Sequence, residues 1–279
     1  MIVDAHHHLW DPAEREYPWL AGLSINRPYR VADLRDRVES AGVDRTVLVQ
    51  TVSTVEETES FLALADANRD VVGGVVGWVD LTGADVAGEL ARLRSAAGGD
   101  LLVGIRHQAQ DEADPSWLTR PDVVAGVRAV AAAGLVYDLL VLPHQLPAAV
   151  ELTRTVADGR FVLDHLAKPL IAQGVVEPWA SSVRQLGGLP NAACKVSGLV
   201  TEAGDDWSVG RIQPYVDVVV AAFGADRMMF GSDWPVCELV TGYGEVVRLA
   251  RELCAGGGLS EGETAAVFGK TARDWYRLG

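Results

Sequence analysis

Apolar residues gather along the chain in short, nearly unbroken runs separated by amphipathic stretches. The runs are Ile2-Val3, Arg45 to Val49, Val71 to Val79, Leu101 to Ile105, Leu135 to Leu142, Arg160 to Leu163, Ala192 to Val196 and Arg227 to Phe230. Runs without strict alternation are what strands covered on both faces look like, as in a parallel sheet. Helical patterning fills the intervals at Val31 to Ala41, Val55 to Asn68, Ala84 to Ala96, Asp122 to Ala133, Leu146 to Val156, Val176 to Leu186 and Val209 to Phe223. Gly42, Gly134 and Gly224 stand as helix stops before the second, fifth and eighth runs. This alternation predicts an α/β protein, a (β/α)8 TIM barrel formed as a single domain over residues 1–279. A doubly wound open sheet is the rival, weakened because no Gly-rich dinucleotide fingerprint follows the first strand. Near the C-terminus, Ser260-Glu261-Gly262-Glu263 reads as a capping box. It opens a helix pair or one long helix, through Leu278, expected to close the outer ring without any visible chemistry.

The polar residues that interrupt this pattern are not scattered. All six histidines (His6, His7, His8, His107, His144 and His165) follow the apolar runs of the first, fourth, fifth and sixth strands. Asp233 holds the equivalent place after the eighth. In a closed parallel barrel these strand ends converge on the face that carries barrel active sites. His6 and His8 are two residues apart on a strand, so their imidazoles point the same way and can share one metal ion, with His7 turned toward the helices.

Composition narrows the chemistry further. The formal net charge is −14, and no run of Lys and Arg offsets it, which disfavours nucleic acid and anionic membrane surfaces as partners. Nothing reads as a signal peptide or a membrane span. The three cysteines lack C-x-x-C spacing, so neither a disulfide framework nor a zinc ribbon is expected. The reading is a reduced, cytoplasmic protein acting on a small molecule, with a homo-oligomer left open. There is no G-x-S-x-G elbow and no P-loop.

Six segments together resemble the amidohydrolase superfamily, its "amidohydrolase 2" branch, and within that the sugar-lactone hydrolases. They are Asp4-Ala5-His6-His7-His8-Leu9-Trp10-Asp11, Gly104-Ile105-Arg106-His107, Pro143-His144-Gln145-Leu146, Leu163-Asp164-His165-Leu166-Ala167-Lys168-Pro169, Lys195-Val196-Ser197-Gly198-Leu199 and Gly231-Ser232-Asp233-Trp234-Pro235. The resemblance implies a barrel mouth with one divalent metal ion, zinc first, on His6, His8, His144 and Asp233. It places His165 beside the metal, to polarise the substrate carbonyl or activate water. Arg106-His107-Gln108 stands where two-metal relatives carry a bridging ligand, which argues against a second ion. Metal-free catalysis, with Asp233 alone as base, stays open.

Arg106 and His107 are expected to contact substrate, with a structural ion pair as the rival role for Arg106. Lys195, inside a strand, either points into the mouth or pairs with a buried acid. Lys168 reads as structural. Trp10 and Trp234, near strand ends, are expected to stack on a sugar-like ring, helped by the aromatic loop from Trp10 to Tyr29. The expected activity is opening of a sugar-acid lactone by an activated water, with Asp233 and His165 catalytic. Alternatives are a metal-dependent decarboxylase of an aromatic or unsaturated acid, and a hydrolase of a non-sugar lactone of the muconolactone or pyrone dicarboxylate type.

Overall fold

A computed structural model describes residues 1–279. Its eight strands are β1 (Val3–His7), β2 (Arg45–Val49), β3 (Val72–Gly77), β4 (Leu102–His107), β5 (Val136–Leu139), β6 (Arg160–Leu163), β7 (Ala192–Val196) and β8 (Met228–Phe230). They pair in parallel in sequence order, the expected barrel topology. Helices α1 (Val31–Ala41), α2 (Val55–Asp66), α3 (Val86–Ser95), α4 (Pro121–Ala132), α5 (Leu146–Thr155) and α6 (Trp179–Gly187) follow the first six strands. After β7 come a short α7 (Leu199–Ala203) and α8 (Val209–Phe223); after β8 comes α9 (Tyr243–Gly256). No helix is long and apolar enough to cross a membrane.

Side-chain size explains the two-layer core. Inside the barrel lie Val3, Ala5, Val47, Val49, Val76, Val136, Val162, Ala193 and Met229, mostly small or β-branched groups that fill a narrow tube. A larger apolar cluster, rich in Leu, Val and aromatics, occupies the space between strands and helices. The C-terminal segment corrects one expectation. It runs through α10 (Glu261–Ala265), a π-helical turn (Ala266–Lys270) and α11 (Thr271–Tyr276), opened by the Ser260–Glu263 capping box. Rather than only joining the outer ring, α11 packs Ala272, Trp275 and Tyr276 against the inward-facing residues of the strands. It seals the end of the barrel opposite the histidines. Helix α9 was not anticipated, because its N-terminus carries Gly242 with no side-chain cap.

Strand β1 carries a bulge that decides where the histidines point. Asp4 pairs with Thr46 and His7 with Leu48, so three steps on β1 match two on β2. The extra residue resets the alternation. Asp4 faces the helices, Ala5 and His6 both face inward, His7 faces outward and His8 inward again.

The same strand closes the barrel. β8 stops at Phe230, and the residues just beyond it meet β1: the Asp233 amide donates to the His6 carbonyl at 2.8 Å, and the His8 amide to the Trp234 carbonyl at 2.7 Å. The Asp4 carboxylate accepts from the Ser232 amide (2.8 Å), the Ser232 hydroxyl (2.6 Å), the Tyr243 hydroxyl (3.0 Å) and the His6 amide (3.1 Å). Gly231 permits this approach, since a Cβ there would lie 2.6 Å from the His6 Cβ. We expect Gly231→Ala to lower stability by about 1–3 kcal/mol, the usual cost of overpacking, measured as a urea midpoint shift without a change in slope.

Candidate active site

The inward-facing ends of β1, β6 and the segment after β8 bring three imidazoles around one carboxylate. His6 Nε2 lies 3.7 Å from Asp233 Oδ1, His8 Nε2 3.5 Å and His165 Nε2 3.9 Å. The Nε2 atoms of His6 and His8 are 3.2 Å apart. All four side chains are buried. His8 Nδ1 sits 2.7 Å from the Val49 carbonyl, which can only accept, so Nδ1 carries a proton and Nε2 is the nitrogen turned toward Asp233. His165 Nδ1 is held by the Ser197 hydroxyl at 2.9 Å. Gly198 leaves room for that imidazole, as a Cβ there would come within 2.7 Å of Nδ1.

Burial sets the charge states. It depresses the His6 imidazole well below its usual value and brings His165 down to about 4, so both are neutral near pH 7. Burial pushes the Asp233 carboxyl up, but the surrounding imidazoles of His165, His8 and His6 outweigh it, holding the group far below the carboxylate range. Neutral imidazoles with one anionic oxygen form a zinc-type donor set. The ligand atoms of His6, His165 and Asp233 lie within 4.8 Å of one another. A tetrahedral ion with ligands at about 2.0–2.1 Å holds them about 3.3 Å apart, close to the spacings around Asp233. The residues present fit a metal ion.

His144 is not among them. β5 ends at Leu139, and the chain then leaves the mouth before a 3-10 turn at Pro143–Gln145, where His144 is exposed. Gln145, whose side chain bonds the Leu142 amide and the Ala109 carbonyl, fixes that turn. Strand alternation also removes His107. Arg106 faces inward, so His107 faces the helices, stacked on Trp117 at 4.1 Å and bonded to Trp78 and Glu112. Trp10 and Trp234 are both buried away from the cavity, their indole N–H groups bonded to the Ile25 carbonyl and to Glu238.

Lys195 takes the second of its two expected roles. Its ammonium lies below the histidines, 2.6 Å from Asp138, 3.0 Å from Asp164 and 3.2 Å from His6 Nδ1, fully buried. Arg106 is likewise committed, to Asp164 at 2.9 Å and through Nε and Nη2 to Gln50. Tyr276 of α11 donates to Asp138 at 2.8 Å from beneath. Two cations and two carboxylates thus form a paired floor under His6, and the C-terminal helix touches it. Asp138 and Lys195 each interrupt an apolar run, and that lone-charge signal marks them in the sequence as partners.

Above the floor is a cavity of about 190 Å³, lined among others by His8, Arg106, His165 and Asp233. The aromatic loop contributes Trp19, with its indole N–H unpartnered; the turn after β4 contributes Gln108, Gln110 and Asp111, with Gln110 Oε1 also unpartnered. Larger hollows lie between α1 and α9 and beside the aromatic loop, away from this centre. The three cysteines are buried and unpaired, and burial raises the Cys237 thiol well above its usual value, consistent with an inert side chain.

A neutral-imidazole and carboxylate centre at the C-terminal mouth of a (β/α)8 barrel defines a hydrolase-type barrel enzyme. The chain belongs to the amidohydrolase family, whose pattern matches residues 3–278. It is 38% identical to an L-fucono-1,5-lactonase of Burkholderia ambifaria, over 99% of this chain and 95% of that protein. It is 36% identical to an L-fucono-1,5-lactonase of Burkholderia multivorans, over 99% of this chain and 96% of the relative. An amidohydrolase of Burkholderia multivorans, solved with bound zinc, superposes with a TM-score of 0.92 at 34% identity, each chain covered fully.

Two outcomes test this site. In calorimetric titration with zinc, His165→Ala should weaken binding at least about tenfold, whereas His144→Ala should leave it unchanged. Buried His7, lowered to about 3, and His165, lowered to about 4, take up protons more readily when unfolded. Their stabilising share is complete above pH 6.5 and is lost as pH falls from there toward about 3. Melting temperature should therefore drop across that window, and less steeply in His7→Gln.

Proposed function

We propose that this enzyme opens a sugar-acid lactone of the L-fucono-1,5-lactone type to the aldonic acid. The observation that carries this reading is the cavity itself: an ionised Asp233 in a small pocket lined mostly by polar side chains, Thr51, Gln108, Gln110 and Asp111 among them. A mostly polar lining favours a small ligand with hydroxyl groups. The volume suits one sugar ring rather than a polymer. Of the lining residues only Trp19, Leu140 and Val236 are apolar, a poor slot for an aromatic acid. The two lactonase relatives support the same substrate class.

In this reading Asp233 takes a proton from the attacking water and returns it to the departing ring oxygen. Without an ion, His165, neutral and fixed by Ser197, orients the water against the substrate carbonyl. The Arg106–Asp164–Lys195–Asp138 floor keeps His6 in place, and the aromatic loop limits access of bulk water. A divalent ion, zinc first, bound by His6, His8, His165 and Asp233, would supply a water acidified toward about pKa 7.

Hydrolysis of a panel of aldonolactones, followed with a pH indicator, tests the reading. The wild type should turn over an L-fucono-1,5-lactone, and Asp233→Asn should lose roughly 10²–10⁴-fold in kcat while keeping its fold by circular dichroism. Turnover confined to dicarboxylate lactones or aromatic acids would sink it.

A further inference from the structure

We propose that Lys168 is the catalytic cation of this site, meeting the negative charge that develops on the lactone carbonyl oxygen and then holding the product carboxylate; this rests on the lactonase reading. Two basic side chains line the cavity, Arg106 and Lys168. Arg106 is spent on Gln50 and Asp164. The half-buried ammonium of Lys168 has no hydrogen-bond acceptor and no carboxylate within ion-pair distance, so it is the one uncommitted positive charge facing the space where substrate sits.

Backbone geometry shows that this placement is held at a cost. His165, Leu166, Ala167 and Lys168 have φ of 50°, 54°, 60° and 49°, four successive non-glycine residues in the left-handed region. Such residues are strained and persist only where the surroundings over-determine them. Here the Lys168 amide donates to the His165 carbonyl at 2.7 Å, and the Trp179 indole donates to the Leu166 carbonyl at 2.6 Å. One strained turn therefore aims both His165 and Lys168 at the cavity. The rival role for Lys168 is structural, through Glu202, whose carboxyl is raised by burial and lowered by the lysine's charge.

The step balances without a proton from Lys168. The water oxygen bonds to the lactone carbonyl carbon as its proton passes to Asp233, placing negative charge on the carbonyl oxygen beside the ammonium. The ring carbon–oxygen bond then breaks, the ring oxygen recovers the proton, and the new carboxylic acid ionises to solvent. A fixed ammonium stabilises the charged intermediate more than the neutral lactone, which raises kcat rather than binding.

Lys168→Ala should therefore lose roughly 10²–10³-fold in kcat with little change in KM, and added ethylammonium should restore part of it. Calorimetry should show the aldonate binding at least about tenfold more weakly, with the matching uncharged alditol unaffected. Lys168→Arg should retain more activity than Lys168→Ala, and Glu202→Gln should stay near wild type. Unchanged kcat in Lys168→Ala, or a loss with no amine rescue and undiminished aldonate binding, overturns the assignment. If the wild type hydrolyses no sugar lactone, the lactonase reading fails by itself, and aldonate binding to wild type and Lys168→Ala still decides the role of Lys168.

Discussion

Eight strands make a barrel only if the first and the last find each other, and in this chain β8 is too short to do so by itself. The seam is joined instead by the residues just beyond β8, through the Asp233 and His8 amides and through four donors converging on Asp4. Burial raises the Asp4 carboxyl to about 6, so those hydrogen bonds offset a real desolvation cost. The bonds that close the wall also bring Asp233 alongside His6 and His8. Structure and chemistry share the same few atoms.

Below that seam, electrostatics takes over from packing. Arg106 and Lys195 against Asp138 and Asp164 give a buried group with no net charge, each member with an opposite partner. Removing any one would strand a buried charge, which costs far more than the intact pairs contribute. The arrangement leaves Asp233 as the unneutralised anion among neutral imidazoles. It also ties the active site to α11, because Tyr276 reaches the same Asp138.

Most of the barrel was legible in the sequence, because strand runs and helix stops are local signals. The boundaries of β2, β6, β7, α1 and α8 coincide with the runs and stretches read from the pattern. Alternation placed His6 and His8 together, but which face they share depends on the β1 bulge, and no residue in that stretch announces it. Arg106 and His107 were both expected at the substrate, yet β4 pairs there with β5 without a bulge, so these neighbours point to opposite faces. His144 failed for a different reason: the path of the chain after β5 is set by a turn, not by periodicity. Trp19 and Gln110 lie in loops whose course depends on tertiary packing, and the left-handed turn at His165–Lys168 runs against the backbone preference of Leu166, Ala167 and Lys168.

The seam has a consequence for how the molecule comes into being. His6 and His8 are separated from Asp233 by most of the chain, and the floor beneath them is completed by Tyr276, later still. A nascent polypeptide can form hairpin-sized βα units as it leaves the ribosome, but it cannot assemble the reactive centre from any of them. The centre is complete only when the last strand has docked on the first and α11 has plugged the base. A half-made copy is therefore chemically silent.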